Sequence, residues 1–199
     1  MYLGPPIDDP EILASLSSEL THLLRRANGY VAYNGGLHVR GACHDPKWHS
    51  LRSAWLGPAA LHRLFPVLAS SDIPFGEDAL GHQFIIRDGV VHRLDAEVGE
   101  LESLAVDLAD FDAAARSDPV EYLRLQPLER FRAEGGSLEP GQLLSVYPPY
   151  VFQESASNVS LRAIPASDRI AFLAHLAASI RDLPDGARVS MPPLPPSAV

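Results

Sequence analysis

A strand-turn-strand signal near the middle of the chain constrains the fold more than any other feature. Two apolar-rich runs, residues 82–87 and 90–94, flank a single Asp-Gly dipeptide, and a two-residue Asp-Gly connection is typical of a type I′ β-hairpin. In that register Ile86 faces Val91, and Phe84 lies on the same side. Because the opposite side also carries apolar side chains, we predict that this hairpin is interior to its sheet and covered on both faces.

The chain around this hairpin alternates helical and extended patterns. Asp9 and Pro10 begin a helix whose apolar residues recur at helical spacing as far as residue 28. Ser167 is expected to cap a last helix that stops at Pro184. Further predicted elements are a hairpin at 30–33 and 37–40, a short helix after Pro58, a strand at 101–104, helices after Leu108 and Asp118, and edge strands with loops over 133–166. These elements predict an α+β fold, a mainly antiparallel sheet with helices packed around it.

One domain accounts for this pattern. The sequence contains no repeat of fixed period and no linker rich in glycine, serine or charge. We therefore predict a single domain over residues 1–190. Residues 191–199 include four prolines, and we expect them to form a mobile tail.

Acidic residues are concentrated in the middle of the chain. The formal net charge of the 199 residues is -9, and residues 72–140 hold sixteen acidic and six basic residues. Such a field disfavours direct binding to nucleic acid and attracts cationic surfaces of other proteins. The alternative is that these carboxylates lie on solvated faces and keep the protein in solution.

The predicted compartment is the cytoplasm. A single cysteine, Cys43, rules out an internal disulfide framework and favours a reducing environment. We expect no signal peptide, because the start of the chain lacks a basic region followed by an apolar stretch. No uncharged run reaches the roughly 18 to 20 apolar residues of a membrane helix.

Nucleophilic and metal chemistry have weak support in the sequence. Cys43, His44 and Asp45 are the residue types of a catalytic triad, but adjacent residues rarely face one another. A buried or half-buried thiol is the better interpretation of Cys43. His44 and His49 with Cys43 form the densest group of candidate metal ligands, and their spacing matches no strong zinc signature. We therefore expect no metal and no cofactor.

Glu77 and Asp78 are adjacent carboxylates that could act as acid and base if burial separated their pKa values. Sugar hydrolysis would also need aromatic platforms, and this segment offers only Phe75 and Phe84, both in positions expected for the core. No phosphate-binding glycine loop, nucleophile elbow or zinc-protease helix occurs. The sequence therefore predicts no catalytic residues, and a metal-dependent or carboxylate hydrolase stays open as an alternative.

Residues 73–84, which read Ile-Pro-Phe-Gly-Glu-Asp-Ala-Leu-Gly-His-Gln-Phe, resemble the central signature of the SUKH superfamily. This is the group that includes the yeast regulator of cell-wall glucan synthesis. Two positions depart from the family pattern. His82 stands where the pattern often has aspartate or asparagine, and Val98 stands where it often has threonine. Further similar segments, in the family's order, lie at 34–36, 95–100, 140–141 and 183–186.

The resemblance implies an α+β fold without enzymatic activity. Many bacterial members look like immunity proteins, which bind and neutralise a toxin, often a nuclease, and others look like regulatory or scaffolding proteins. The acidic surplus suits the first role, because nucleases present basic surfaces. We therefore predict a protein-binding module, with a housekeeping regulator or scaffold as the alternative. The carboxylates expected to contact the protein partner, such as a cationic toxin domain, are Glu77, Asp78, Asp95, Glu97 and Glu100.

Overall fold

A seven-stranded antiparallel sheet runs through the computed structural model, which describes residues 1–184, 186, 187 and 189. Its strands follow one another in chain order, and a separate hairpin forms a second, two-stranded sheet. The large sheet consists of β1 (Tyr2–Leu3), β2 (Tyr30–Ala32), β3 (Leu37–Val39), β4 (Ile73–Asp78), β5 (Gln83–Arg87), β6 (Val90–Asp95) and β7 (Glu100–Val106), and the small sheet of β8 (Gln142–Tyr147) and β9 (Ser160–Pro165). The predicted tail, 191–199, lies outside the described residues.

Helices lie on both faces of the large sheet. Along the chain they are α1 (Pro10–Ala14), α2 (Ser18–Arg26), α3 (Leu51–Trp55), α4 (Leu61–Leu64), α5 (Leu108–Ser117), α6 (Pro119–Tyr122), α7 (Gln126–Ala133) and α8 (Ala166–Ile180). The predicted α+β fold with a mainly antiparallel sheet is therefore confirmed. No helix within the described part of the chain combines the length and apolar character needed to cross a membrane.

The central hairpin has the predicted register and position. Ile86 pairs with Val91, and β5 and β6 are both interior strands. Asp88 and Gly89 both have positive φ, 51° and 80°, as a type I′ turn requires. Because successive side chains of a strand point to opposite faces of the sheet, Ile86 lies in one apolar core and Ile85 in the other.

Two apolar cores lie on opposite sides of the sheet. The first core packs α2 and α5 against one face, with three aromatic rings in mutual contact: Phe75, Phe84 and Phe111. The second core packs α4 and α8 against the other face, around Ile85 and Leu94. Each face thus receives the helical cover that its apolar side chains need.

Several elements differ from the sequence-based prediction. The first helix is two helices, because Ser17 takes an extended conformation and its side chain caps α2 by accepting from the Leu20 N–H. Ser167 does not cap the last helix, which begins one residue earlier after Pro165. Helix α7 was not predicted. The edge strands predicted within 133–166 do occur: they are the two strands of the small sheet.

Candidate functional site

The five predicted partner-binding carboxylates do not share one exposed face. Glu77, Asp78 and Glu97 are 1%, 2% and 5% exposed. Their expected place on an exposed acidic face is therefore wrong: each lies beside a buried arginine, which compensates its charge inside the fold. Asp95 and Glu100 do lie at the surface, directly opposite each other where β6 turns into β7.

Glu77 and Asp78 point to opposite faces of the sheet. Glu77 pairs across β4 and β5 with Gln83 and lies on the side of α8, whereas Asp78 follows it by one residue and faces the side of α5. The Asp78 carboxylate accepts hydrogen bonds from the N–H groups of Leu80 and His82, at 2.9 and 3.1 Å, which holds the turn after β4. The two carboxylates are therefore not arranged to work as a catalytic pair.

Glu77 is held by donors on both carboxylate oxygens. Arg40 Nη2 donates to Oε2 at 2.7 Å, Gln83 Nε2 donates to the same oxygen at 3.1 Å, and His38 Nδ1 lies 2.9 Å from Oε1. Burial raises the pKa of Glu77, but the Arg40 charge and these hydrogen bonds outweigh it and lower the pKa to about 2. Glu77 is therefore an ionised group fixed in a polar cluster.

Two buried histidines extend this cluster. Its hydrogen bonds need one more proton than two neutral histidine rings carry. His49 Nε2 lies 2.9 Å from the Asn28 carbonyl oxygen, His49 Nδ1 lies 2.9 Å from His38 Nε2, and the His38–Glu77 contact follows. The carbonyl and the carboxylate can only accept, so the three contacts need three protons, whereas two neutral imidazoles supply two. One added proton on the His38–His49 pair would complete the three contacts and give the pair a positive charge. Burial opposes that charge: it lowers the pKa of His38 and lowers that of His49 to about 4.

Two further buried arginines balance the remaining carboxylates. Arg169 donates to the Leu80 carbonyl at 3.1 Å and lies 3.5 Å from Glu97 Oε1. The second oxygen of Glu97 accepts from the Val151 N–H at 3.0 Å, which ties the β6–β7 turn to the segment after β8. Arg93 lies 3.6 Å from Asp78 and stands over the Phe84 ring. These carboxylates join parts of the fold and are not free to contact a partner.

Most of the exposed acidic residues lie instead on or beside β7, α5 and α6. Four of the sixteen carboxylates of residues 72–140 are buried, which leaves twelve at the surface. Between residues 95 and 124, only Arg116 and Arg124 are basic, and each lies within 4.0 Å of a carboxylate. We call the strand β7 together with seven surface carboxylates of residues 95–124 the acidic edge; these are Asp95, Glu100, Glu102, Asp107, Asp110, Asp118 and Glu121. Asp112 lies instead near Tyr30 of β2, towards the other end of the sheet order.

Strand β7 has an open side. It is the last strand in the sheet order and pairs only with β6 among the strands that the structure describes. Glu100 and Glu102 on it are exposed. A register shift near its end, with Ala105 at a positive φ of 57°, adds a bulge. No described strand pairs with the backbone groups on this open side, and an unpaired strand edge is a template for a further strand.

A cleft of about 540 Å³ lies between α4, the first turn of α8 and the loop before α3. Leu61, Leu64, Ile170 and Trp48 are among the residues that line it. Arg40 and Glu77 lie at its bottom, 2% and 1% exposed. The buried polar cluster therefore adjoins a largely apolar cleft, an arrangement typical of ligand sites.

The candidate metal ligands of the sequence are not brought together. Cys43 is buried, as predicted, and burial raises the pKa of its thiol to about 11. His44 is exposed, whereas His49 is buried against His38. Within residues 1–184, 186, 187 and 189, no three His, Cys, Asp or Glu side chains are grouped so that they could hold a metal ion.

Sequence analysis missed the basic partners of the buried carboxylates. His38 and Arg40 alternate with apolar Leu37 and Val39, and this alternation of polar and apolar residues in a strand of an interior hairpin was the available signal. Arg169 lies in α8 next to Ile170, and its position in the sequence gave no such signal. Only the packing of α8 against the sheet shows that its guanidinium is buried.

Comparisons with known proteins support the fold and no more. No protein-family model matches the chain, and no curated protein matches it. Among solved structures, the crystal structure of Atu4351 from Agrobacterium tumefaciens is similar to it, with a TM-score of 0.51 and 14% sequence identity over 86% of this chain and 81% of that chain. At this identity the likeness shows a shared fold, and membership of the SUKH superfamily stays a prediction.

Proposed function

We propose that the protein is a non-enzymatic binding module that holds a cationic partner protein at the acidic edge. The observation that carries this proposal is the position of β7: a seven-residue strand with an open side, bordered by surface carboxylates. An extended segment of the partner would add to the sheet through main-chain hydrogen bonds. Its lysine or arginine side chains would lie beside Glu100 and Glu102.

Charge supports a basic partner. The acidic edge carries seven surface carboxylates, and Arg124, which lies 3.8 Å from Glu102, is already paired with one of them. A surplus of one sign on one part of a surface raises the association rate with an oppositely charged protein, and the effect weakens with salt. The same surplus repels the phosphate backbone of nucleic acids.

Carboxylates on an edge strand also have a protective role, since they keep sheet edges of separate molecules from pairing. In that case Glu100 and Glu102 would affect self-association and leave partner binding unchanged. The two roles make opposite predictions for a change of charge sign, which the experiment below uses.

The resemblance to the SUKH superfamily suggests the biological setting. We infer an immunity role in which the module occupies the basic active face of a toxin such as a nuclease. A housekeeping regulator or scaffold is the alternative, and it would use the same surface for several partners. A hydrolase is less well supported by the geometry: Glu77 and Asp78 lie on opposite faces of the sheet, and Cys43, His44 and His49 are not grouped.

The test is binding to the product of the adjacent gene, measured by calorimetry at low and moderate salt. The variant Glu100→Lys/Glu102→Lys should weaken binding about tenfold or more and flatten its salt dependence, because two rim charges change sign. A matched control, Glu129→Lys/Glu139→Lys, makes the same change of net charge at exposed sites outside the acidic edge. The control should bind like the original protein.

Circular dichroism and thermal unfolding would verify that both variants are folded. Equal affinity and equal salt dependence for the two variants would refute the acidic-edge mechanism. Self-association of Glu100→Lys/Glu102→Lys without a change in partner affinity would assign the two carboxylates to edge protection.

A further inference from the structure

The loop that follows β8, residues 147–152, exposes several large apolar side chains. Tyr147, Tyr150 and Val151 are 47%, 43% and 38% exposed. They are three of the eight large apolar side chains that the described part of the chain leaves exposed. A single exposed apolar residue needs no explanation, whereas a local group of them is a candidate interaction surface. We call residues 147–152 the tyrosine loop.

The tyrosine loop is fixed to the fold at several points. The Pro149 carbonyl accepts from the Phe152 N–H at 3.1 Å, and the Phe152 carbonyl accepts from Ser155 Oγ at 2.7 Å. Pro149 is buried, and the Phe152 side chain packs against the second core. The exposed side chains therefore stand on an anchored backbone, which lowers the entropy cost of binding a partner.

The tyrosine loop adjoins one end of the acidic edge. The Val151 N–H donates to Glu97 Oε2 at 3.0 Å. Glu97 lies in the β6–β7 turn between Asp95 and Glu100, the two surface carboxylates at that end of the acidic edge. Burial and the charge of Glu97 raise the pKa of Tyr150, which agrees with a phenol close to the same turn. The exposed apolar side chains and these carboxylates are therefore neighbours.

The charge around the tyrosine loop suits a cation. Residues 133–161 contain three acidic residues and no lysine, arginine or histidine. Two arginines from other segments come near the loop, and each already lies beside a carboxylate. Arg169, which is buried, lies 3.5 Å from Glu97, and Arg130 lies 2.8 Å from Glu134. A second copy of this chain would bring the same carboxylates, so charge disfavours self-association at this surface.

Two like charges face each other beside the tyrosine loop. Asp95 and Glu100 are directly opposite across β6 and β7, and like charges in that position destabilise a sheet. His82 Nδ1 lies 3.4 Å from Asp95, but it accepts from the Ala96 N–H at 3.1 Å and therefore carries no proton there. A cation held between the two carboxylates would remove this repulsion.

We propose that the tyrosine loop and the Asp95–Glu100 pair together bind an arginine side chain of the cationic partner. This inference rests on the proposed function and specifies where the partner is recognised. The guanidinium would lie between the two carboxylates and against the Tyr150 ring, because a planar cation both pairs with carboxylates and stacks on an aromatic face. Val151 would cover the aliphatic stem of the arginine.

The first experiment uses the peptide hexa-arginine as the probe, with hexalysine and hexaglutamate as controls. Replacing the six tyrosines by 3-fluorotyrosine gives six fluorine NMR resonances, which Tyr150→Phe and the five corresponding variants assign. Hexa-arginine should shift the Tyr150 resonance saturably, and hexalysine should need several-fold higher concentrations. Hexaglutamate should leave it in place. None of the three peptides should shift the resonance of Tyr30, which packs against the first core.

The second experiment measures affinity for the product of the adjacent gene by calorimetry. Tyr150→Ala should weaken binding about tenfold or more, as the loss of an aromatic anchor does in other interfaces. Tyr150→Phe keeps the ring face and should bind within about threefold of the original protein. The matched control is Leu56→Ala, which removes a 49% exposed apolar side chain next to the end of α3. It should bind like the original protein.

The outcomes separate the arginine site from the proposed function. If Glu100→Lys/Glu102→Lys weakens binding and folded Tyr150→Ala binds as tightly as Leu56→Ala, β7 still holds the partner and the arginine site is refuted. If neither variant changes the affinity, both are refuted. If the product of the adjacent gene does not bind, the peptide titration alone decides.

Three further results would overturn the arginine site. The first is a Tyr150 resonance that hexa-arginine leaves in place, or that hexalysine or hexaglutamate shifts equally well. The second is a loss of affinity in Tyr150→Phe as large as in Tyr150→Ala. The third is a dimeric protein that Tyr150→Ala converts to monomers, measured by analytical ultracentrifugation, because a second copy would then be the occupant of this surface.

Discussion

Acidification should destabilise the folded protein through His49. This side chain is 0% exposed, and burial is the main reason that its pKa falls to about 4 in the folded state. In the unfolded chain the pKa of histidine is about 6.5. Between these two values the unfolded chain binds more protons than the folded one. Stability is therefore fully present above about pH 6.5 and is lost as the pH falls towards 4.

The size of the effect follows from the shift. A difference of about 2.5 pKa units corresponds to about 3 kcal/mol of unfolding free energy, at about 1.4 kcal/mol per unit. His38, whose pKa burial also lowers, acts in the same direction. Glu77 does not contribute to this loss of stability. Its pKa is about 2 in the folded state, so the stability that it provides is lost only as the pH falls below the ordinary pKa of glutamate. The expected loss is a large part of the stability of an ordinary domain.

The assay is urea unfolding followed by circular dichroism between about pH 7 and pH 5, where about half of this loss should occur. In His49→Gln the dependence on pH should be smaller by the contribution of His49, although the variant starts from a lower stability at neutral pH. The control is His175→Gln, which changes an exposed histidine of α8. It should keep the pH dependence of the original protein.

A rise in stability on acidification would contradict this prediction. If stability rises on going from about pH 7 to pH 5, the His38–His49 pair holds a proton more tightly when folded than when unfolded. The completed contacts among Asn28, His49, His38 and Glu77 would then outweigh the burial of a positive charge. Such a rise would refute the reasoning that burial dominates in this cluster.

Three further predictions concern stability, each measured by urea unfolding at neutral pH. Arg169→Ala should cost about 3–5 kcal/mol, because it leaves Glu97 buried without its cation; a double variant with Glu97→Gln should recover part of the loss. Gly4→Ala should cost about 1–3 kcal/mol, since the new Cβ would overlap the Asn28 carbonyl oxygen. Phe84→Ala should cost about 3–5 kcal/mol by opening a cavity in the first core, whereas Phe84→Leu should cost less. A loss below about 1 kcal/mol in any of the three alanine variants would contradict the packing described for that site.

Local sequence features predicted local structure well. The Asp-Gly turn between β5 and β6 needs two residues that tolerate positive φ, and both are adjacent in the sequence. Helices begin after Asp9 and Asp118 as predicted, and each side chain caps its helix: Asp9 accepts from the Ile12 N–H and Asp118 from the Glu121 N–H. The break between α1 and α2 was missed because the apolar spacing continues across it, so periodicity alone did not show that Ser17 begins a new helix.

The sites depended on contacts between distant residues. Arg40 and Glu77 are 37 residues apart, and Arg169 and Glu97 are 72 residues apart. A sequence shows that a carboxylate exists, but its exposure and its partner depend on which strands pair and which helix covers them. For that reason three of the five predicted carboxylates were assigned to the surface and lie inside the fold.

The amino-acid sequence alone determined the α+β class, the central hairpin with apolar residues on both faces, and the concentration of acidic residues in the middle of the chain. Each of these depends on residues close together in the chain or on simple counts. Tertiary structure decided which carboxylates are buried with arginines, which ones border the open side of β7, and that an apolar cleft adjoins the Arg40–Glu77 pair. Those properties arise because strand order and helix packing bring together side chains that the sequence keeps far apart.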